Sequence, residues 1–237
     1  MLIATDLDGT FLAGDPSKRQ DLYDWVRREQ NVQLVYVTGR GMPLVLPLLK
    51  DPLLAQPDFI ICDVGATIAD AKGELIPTLM GEIESHWPGE EVVMRALEGL
   101  PDLQRQDQPQ ARRCSFYCDS PSMTANVQQR LAGLSCDVLV SADFYLDVLP
   151  RNVNKGSSLS RLIRHLNINA DEVLVAGDTL NDLSMYQHGF NGVCVGGSEQ
   201  GLLHATLGLP QVLHSRGPGC EGITEALAHF YKRSPNA

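Results

Sequence analysis

The stretch Leu2-Ile3-Ala4-Thr5-Asp6-Leu7-Asp8-Gly9-Thr10 contains the pattern that decides the fold. Its first part is a short apolar run that ends in an acid, as in a buried strand whose carboxyl end meets solvent. Asp6 and Asp8 project in the same direction if the chain is extended, and Gly9 allows a sharp turn after the strand. One such carboxylate can attack phosphorus while the other transfers a proton. Taken alone, the pattern also fits a solvated loop or a helix N-cap.

The rest of the chain repeats this strand pattern and alternates it with amphipathic helices. We predict buried strands at Gln33–Val37, Phe59–Cys62, Val173–Ala176 and Gly192–Val195. We predict helices at Lys18–Glu29, Leu180–Tyr186 and Glu221–Phe230. Alternating strands and helices indicate a parallel sheet with helices on both faces. The predicted fold is therefore α/β, with a Rossmann-like parallel-sheet core.

The middle of the chain differs from this pattern. We predict helices at Glu90–Leu97 and Met123–Leu134, and strands at Cys114–Cys118, Val138–Val140 and Phe144–Leu149. Helices and adjacent strands without the fully buried strand pattern indicate a small α+β insert. We therefore predict a catalytic core of residues 1–80 and 152–237, and an inserted α+β cap of residues 81–151.

Composition narrows the classes of partner. The 237 residues carry a formal net charge of −10 with a pI near 5.0, which argues against nucleic acid because phosphate backbones demand a basic face. No apolar run approaches the roughly 20 residues that span a bilayer, and the N-terminus lacks a signal-peptide pattern. We therefore predict a soluble, cytoplasmic protein with reduced cysteines, no nucleic-acid partner and no membrane contact. The sequence does not set the oligomeric state.

Two further motifs follow predicted strands or begin helices. Val37-Thr38-Gly39-Arg40 offers a hydroxyl and free backbone N–H groups that can hold a phosphoryl oxygen. Thr38 as an N-cap and Gly39 as a turn residue is the plainer alternative, and Arg40 contacts either substrate or the surface. Lys155, in Asn154-Lys155-Gly156, begins the predicted helix Ser157–His165 and can neutralise both a phosphate and an attacking carboxylate.

The fourth motif is Gly177-Asp178-Thr179-Leu180-Asn181-Asp182, directly after the strand at Val173–Ala176. Asp178 lies in the turn at the strand end, and Asp182 lies four residues further on. Clustered hard oxygens suit Mg²⁺, which prefers carboxylate, carbonyl and water ligands. Several acids packed together without a cation would repel each other, so we predict a Mg²⁺ site here.

Together these four motifs resemble the haloacid dehalogenase superfamily of phosphohydrolases, whose pattern is strand–Asp-x-Asp-x-Thr, strand–Thr, a Lys, and strand–Gly-Asp-x-x-x-Asp. The matching residues are Asp6, Asp8, Thr10, Thr38, Lys155, Asp178 and Asp182. The resemblance implies that Asp6 is the nucleophile and a Mg²⁺ ligand. It implies that Asp8 protonates the leaving oxygen and then activates water, while its backbone carbonyl binds the metal.

The resemblance also assigns the remaining positions. Thr38, Gly39 and Lys155 would bind the phosphoryl group, and Asn181 would help hold Lys155 or the phosphate. Asp178 would ligate Mg²⁺ directly, and Asp182 would support it through a water or a neighbouring contact. With Arg40 as a substrate contact, the predicted sites are catalytic Asp6 and Asp8, phosphate- or substrate-binding Thr38, Gly39, Arg40, Lys155 and Asn181, and metal-binding Asp6, Asp8, Asp178 and Asp182.

Within the superfamily the chain is most similar to the sucrose-phosphatase-like group, through Thr38-Gly39-Arg40, Ser85-His86-Trp87, Asp147–Pro150, Asn154-Lys155-Gly156 and Leu227–Phe230. Gly9 departs from it, because sucrose phosphatases often carry Asn there. The resemblance implies a Mg²⁺-dependent sugar phosphatase, with sucrose 6-phosphate as the leading substrate. Mannosylfructose phosphate, a glycosyl-phosphoglycerate, a phosphomutase activity and a signalling domain phosphorylated on Asp6 are the alternatives.

Substrate choice in such an architecture should come from cap side chains that face the leaving group. The candidates are Glu84, His86, Trp87, Arg112, Tyr117, Asp119, Tyr145 and Asp147. Trp87 and Tyr117 either lie against a sugar face or belong to the apolar core of the cap. The acids can accept hydrogen bonds from sugar hydroxyls.

Overall fold

The computed structural model describes residues 1–100, 103–141 and 144–232, and these residues form two separate β-sheets. One sheet is mostly parallel and the other is antiparallel, which confirms the predicted α/β core with a small cap. The predicted cap range includes residues 101–102 and 142–143, and the predicted core range includes residues 233–237. Those nine positions lie outside the described residues.

The strands are numbered in chain order across both sheets. They are β1 (Leu2–Thr5), β2 (Gln33–Val37), β3 (Phe59–Cys62), β4 (Thr67–Asp70), β5 (Gln104–Arg105), β6 (Cys114–Tyr117), β7 (Cys136–Ser141), β8 (Tyr145–Pro150), β9 (Val173–Gly177), β10 (Asn191–Gly196) and β11 (Val212–Pro218). The core sheet has the order β11-β10-β9-β1-β2-β3-β4, and only its β3–β4 pair is antiparallel. The cap sheet has the order β5-β6-β8-β7.

The helices are also numbered in chain order. They are α1 (Pro16–Arg28), α2 (Met42–Val45), α3 (Pro77–Ser85), α4 (Glu90–Ala96), α5 (Pro121–Leu131), α6 (Lys155–Leu166), α7 (Leu183–Tyr186), α8 (Gln200–Thr206) and α9 (Cys220–Tyr231). Local sequence sets where several begin. Asp15 caps α1 by accepting hydrogen bonds from the backbone N–H groups of Ser17 and Lys18, and Pro16 takes the first helical position.

The core sheet is buried on both faces because its central strands are apolar throughout. In β1 the side chain of Ile3 packs on the face covered by α1 and α9, while Leu2 and Ala4 pack on the opposite face. In β2 the same alternation places Leu34 on the face with Ile3 and Val35 on the opposite face. Alternate side chains of each strand therefore pack in two apolar clusters, one on each face of the sheet. The polar ends of the strands meet at one edge of the sheet.

Several elements were not predicted or differ in extent. The predicted helix at Leu180–Tyr186 is a 3₁₀ turn at Leu180–Asp182 followed by α7. Strands β4 and β11 were missed, because β4 is an edge strand and β11 contains Gly217 and Pro218 at its end. Helix α3 runs through the predicted boundary at residue 81, since Ile83 packs in the same cluster as the core strands.

The cap sheet has an apolar face and a polar face. Its apolar face packs against α4 and α5 through residues that include Val93, Phe116 and Val127. Within the described ranges, no helix combines the length and apolarity that crossing a membrane requires.

Candidate active site

The four sequence motifs converge at the carboxyl edge of the core sheet. Strands β9, β1 and β2 are neighbours, so the residues that follow them are brought side by side. The backbone N–H of Asp6 donates to the carbonyl of Ala176 at 2.9 Å, which joins the ends of β1 and β9. Parallel strands with matching ends are the usual way in which an α/β sheet assembles a ligand site.

Lys155 lies at the centre of this convergence. It occupies the first turn of α6, where Asn154 and Ser157 form a reciprocal capping box that fixes the start of the helix. The Lys155 side chain is fully buried, and its Nζ donates to Asp6 Oδ1 at 2.7 Å and to Asp182 Oδ1 at 2.6 Å. The geometry thus places one ammonium between two carboxylates.

Asp182 organises the turn after β9. Its Oδ2 accepts hydrogen bonds from the backbone N–H groups of Asp178 at 3.0 Å and Thr179 at 3.1 Å. Because its Oδ1 accepts from Lys155, both oxygens of Asp182 already have partners. Asp182 therefore holds Lys155 and the Asp178 turn in place.

Asp178 is positioned from the opposite side by the first motif. The Thr10 hydroxyl donates to Asp178 Oδ1 at 3.1 Å. Gly9 adopts a φ of +79°, and a Cβ there would collide with the Asp178 carboxylate. The absence of a side chain at Gly9 thus allows the first and fourth motifs to lie in close contact.

The carboxylates of Asp6, Asp178 and Asp182 form an acidic cluster in which one oxygen from each lies within 4.8 Å of the other two. Burial, together with the negative charge of Asp182, raises the pKa of Asp6 to about 8 although Lys155 opposes the shift. Burial and Asp182 also raise the pKa of Asp178 to about 6. Burial opposes the charge on Lys155, but Asp182 and Asp6 outweigh it and raise the pKa of its ammonium. The cluster therefore combines three carboxylates with one ammonium, that of Lys155, which cannot neutralise all of them.

This donor set fits a divalent cation. Carboxylate oxygens are hard ligands, and a cation would offset both the burial and the repulsion from Asp182 that raise the pKa values of Asp6 and Asp178. Asn181, at the same turn, has a buried Oδ1 atom without a hydrogen-bond partner among the described residues, and it lines the adjacent cavity. The described hydrogen bonds of Lys155 run to Asp6 and Asp182, so the predicted contact between Asn181 and Lys155 is not formed.

Asp8 is held by Arg40. Arg40 Nε donates to Asp8 Oδ2 at 2.8 Å and its terminal nitrogen donates to Asp8 Oδ1 at 2.5 Å, a bidentate pairing of two motifs. The Asp8 side chain is 59% exposed, so it borders the cavity rather than the buried cluster. The structure therefore places Arg40 against the predicted acid–base residue.

Thr38 is fully buried at the end of β2, and its hydroxyl accepts from the backbone N–H of Arg40 at 3.1 Å. The next helix, α2, has Gly41 as its N-cap, so the hydroxyl of Thr38 closes a turn and the N-cap alternative raised from the sequence is wrong. Gly39 lines the cavity beside Asp6. The Gly39 backbone therefore borders the space above the nucleophile candidate.

A cavity of about 300 Å³ lies between the core motifs and the polar face of the cap sheet. From the core it is lined by Asp6, Asp8, Gly39, Arg40, Val64, Thr179 and Asn181. From the segment predicted as the cap it is lined by Gln106, Gln108, Arg113, Ser141, Tyr145 and Asp147. Thus Tyr145 and Asp147, both cap candidates from the sequence, reach the cavity.

The other cap candidates lie elsewhere. Trp87 packs against the apolar cluster of the cap. Arg112 pairs with Glu84 at 3.3 Å and donates to the Ala66 carbonyl at 3.1 Å. The remaining three are His86, whose Nδ1 lies 3.2 Å from the Arg151 carbonyl, Tyr117, which contacts the rings of Phe144 and Tyr145, and the exposed Asp119.

Four residues line the cavity but were not predicted from the sequence: Gln106, Gln108, Arg113 and Ser141. A signal for Arg113 was available in the alternation of β6. Cys114 and Phe116 pack in the apolar cluster of the cap, so Arg113 and Ser115 must face the other side of the sheet. Gln106 and Gln108 lie in an irregular segment that carries no comparable periodicity.

Comparison with known proteins shows which proteins are similar to this chain. The family model described as sucrose-6F-phosphate phosphohydrolase matches residues 1–231. A glucosylglycerol-phosphate synthase of Pseudomonas anguilliseptica is 52% identical over 97% of this chain, which spans only 31% of that relative. A mannosylfructose-phosphate phosphatase of Agrobacterium fabrum is 28% identical, over 97% of this chain and 96% of its own length.

A solved structure supports the same assignment. The sucrose-phosphatase of Synechocystis, in complex with sucrose and phosphate, matches with a TM-score of 0.86 and 26% identity. The match covers 97% of each chain, so it includes the cap as well as the core. The chain thus belongs to the sucrose-6F-phosphate phosphohydrolase family of the haloacid dehalogenase superfamily.

Proposed function

We propose that this chain is a Mg²⁺-dependent phosphatase that hydrolyses glucosylglycerol phosphate, or a closely similar glycosyl phosphate, through an aspartyl-phosphate on Asp6. The observation that carries the chemistry is the position of Lys155, whose Nζ lies 2.7 Å from Asp6 and 2.6 Å from Asp182. A bare carboxylate would repel a phosphate dianion. A buried ammonium against the attacking carboxylate reduces that repulsion without reorganisation.

In the first half-reaction an oxygen of Asp6 attacks phosphorus, and the bond between phosphorus and the leaving oxygen breaks. Asp8 donates a proton to that oxygen, so the alcohol leaves neutral. In the second half-reaction Asp8 removes a proton from water, whose oxygen attacks phosphorus and frees the Asp6 carboxylate. Gly39 borders the space for the phosphoryl group, and Arg40 keeps the Asp8 carboxylate at the cavity edge.

The residues present would hold Mg²⁺ through the carboxylates of Asp6 and Asp178 and the backbone carbonyl of Asp8. Bound there, the ion would neutralise charge on the phosphoryl oxygens and orient them. Asp182 takes a supporting role in this proposal, because both of its oxygens are already engaged by Lys155 and by backbone N–H groups. This division matches the support through a neighbouring contact that the resemblance implies.

The substrate proposal is supported by the comparisons. The relative with 52% identity is named for glucosylglycerol-phosphate synthesis, whereas the mannosylfructose-phosphate phosphatase is 28% identical and the sucrose-phosphatase structure is 26% identical. We therefore place glucosylglycerol phosphate ahead of sucrose 6-phosphate, the leading candidate from sequence. Residues 81–151 act in this proposal as the cap that contacts the glycosyl group.

The test is phosphate release from a matched panel of esters. Glucosylglycerol phosphate, sucrose 6-phosphate and mannosylfructose phosphate are compared with glycerol 3-phosphate and fructose 6-phosphate, which are the phosphorylated parts of those substrates. We expect the highest kcat/KM for glucosylglycerol phosphate, and loss of activity with EDTA that Mg²⁺ restores.

Two outcomes would contradict the proposal. Equal rates with glycerol 3-phosphate and glucosylglycerol phosphate would show that the glycosyl group is not recognised. A requirement for a bisphosphate activator, with phosphate transferred to a sugar instead of water, would identify a phosphomutase.

A further inference from the structure

A buried ion-pair bridge lies on the cap side of the cavity, away from the acidic cluster. Arg113 is 2% exposed and lies between two carboxylates, with its Nε 3.2 Å from Asp63 Oδ1 and its Nη1 3.6 Å from Asp147 Oδ1. Asp63 follows β3 of the core, whereas Asp147 lies in β8 of the cap sheet. The bridge therefore joins the two sheets across the cavity.

Arg113 is incompletely satisfied although it is buried. Its Nε is engaged in the ion pair with Asp63, whereas its Nη2 atom is buried and has no hydrogen-bond partner among the described residues. A buried guanidinium normally uses its donors, because an unpaired one loses its hydration without compensation. Since Arg113 lines the cavity that also contains Asp6, a ligand in that cavity can accept from Nη2.

The surrounding contacts fix Arg113 in place. Asp63 accepts from the Thr67 hydroxyl at 2.9 Å and from the Ala111 backbone N–H at 3.3 Å. Asp147 accepts a hydrogen bond from Ser115, which lies directly across from it in the β6–β8 pair. These contacts hold both carboxylates, so the guanidinium between them has a defined orientation.

The backbone beside Asp63 is strained. Asp63 and Val64 adopt φ values of +54° and +57°, and for a β-branched residue such as Val64 this conformation is unfavourable. The strained turn directs Asp63 to Arg113 and leaves Val64 on the cavity wall. Strain of this kind persists where the surrounding contacts hold the turn.

The charges indicate which ligand group fits. Arg113 is flanked by two carboxylates, so the bridge offers donors without a net positive charge. Arg40, the other guanidinium lining the cavity, is paired with Asp8. A second anionic group on the substrate would meet no unpaired cation among the described lining residues, whereas a hydroxyl can both accept from Arg113 and donate to Asp147.

We propose that Arg113 is a specificity-determining residue that donates to a hydroxyl of the glycosyl group, with Asp63 and Asp147 as the residues that position it. This inference rests on the proposed function and adds a recognition contact to it. Burial raises the pKa of Asp147 and of Asp63, and Arg113 opposes both shifts, which agrees with carboxylates that depend on this guanidinium.

The experiment compares two substrates in each variant. The readout is the ratio of kcat/KM for glucosylglycerol phosphate to kcat/KM for acetyl phosphate, which has no glycosyl group. We expect Arg113→Gln to lower this ratio by about tenfold or more, because a site built to bind a hydroxyl loses its charged donor. Arg113→Lys keeps the charge but loses the planar fork, so its ratio should fall between that of Arg113→Gln and the wild type.

Arg105→Gln is the matched control. Arg105 lies in β5 of the same sheet and pairs with the partly exposed Glu90 at 2.7 Å. Its ratio should equal that of the wild type. If Arg113→Gln loses both activities through misfolding, Arg113→Lys with a wild-type thermal midpoint decides the question.

The outcomes separate this inference from the proposed function. A wild-type protein with no preference for glycosyl phosphates over acetyl phosphate would contradict the proposed substrate. A preference that stays within twofold of wild type in both Arg113 variants, or that falls equally in Arg105→Gln, would overturn the role of Arg113.

Discussion

The cavity has two walls that are built in different ways. On the core wall, Asp6, Gly39 and Thr179 follow the ends of parallel strands, and a sheet edge brings them together. On the cap wall, Tyr145 and Asp147 lie on one face of β8 and Arg113 directly precedes β6, and alternation along these strands separates them from the apolar cluster. Position after a strand thus predicts the residues of the chemistry, whereas period-2 alternation predicts those that contact the leaving group.

The two walls also differ in charge. In the core, three carboxylates share the single ammonium of Lys155, and this imbalance favours an additional cation. On the cap wall, Arg113 lies between two carboxylates, and its Nη2 has no hydrogen-bond partner among the described residues. The core wall is therefore suited to a metal and a phosphoryl group, and the cap wall to a neutral polar group.

The largest effect should follow from Asp6→Asn. Asparagine can still accept the hydrogen bond from Lys155, but it cannot form the aspartyl-phosphate. We expect kcat for both glucosylglycerol phosphate and acetyl phosphate to fall by about 10,000-fold or more. Steady-state phosphate release, together with a circular dichroism spectrum of the variant, checks this result.

Asp24→Asn is a suitable control, because Asp24 lies on the surface of α1 and pairs with Arg27. It should leave both rates unchanged. An Asp6→Asn variant that retains a tenth of the wild-type kcat would assign the nucleophile to another group.

The difference between the two walls explains why the sequence predicts the residues of the core wall better than those of the cap wall. The core was predictable because β1 and β2 are apolar runs that are followed directly by Asp6 and Thr38. The structure has β2 and β3 at their predicted bounds. On the cap wall, Tyr145 and Asp147 were among the candidates, but Trp87 packs in the apolar cluster. Arg113 was missed because its partner Asp63 is 50 positions away in the chain, and pairing at that distance depends on how the two sheets pack.

A smaller effect concerns stability without metal. The pKa of Asp6 is raised from 3.8 to about 8 and that of Asp178 to about 6, so the folded state binds protons more tightly than the unfolded state. Stability contributed by these protons is present at low pH and is lost as pH rises toward 8. We expect the thermal midpoint in EDTA to fall by about 5 °C between pH 6 and pH 8, and to fall less with Mg²⁺.

Differential scanning calorimetry of the wild type and of Asp6→Asn isolates this contribution. The variant lacks the carboxyl group that titrates near pH 8, so its midpoint in EDTA should depend less on pH than that of the wild type. A wild-type midpoint that rises from pH 6 to pH 8 in EDTA, or the same slope in both proteins, would show that the acidic cluster does not hold these protons.

The smallest effect should come from the aromatic side of the cap wall. Tyr145 lines the cavity with 41% of its surface exposed, and its ring packs against Phe144 with centroids 5.3 Å apart. If the ring covers part of the glycosyl group, Tyr145→Ala removes apolar contact worth about 1 kcal/mol. We expect KM for glucosylglycerol phosphate to rise by about fivefold, with kcat and the kinetics of acetyl phosphate unchanged. Phe144→Ala is the matched control, because Phe144 is equally exposed but does not line the cavity, and an equal rise in KM there would assign the effect to packing of the rings.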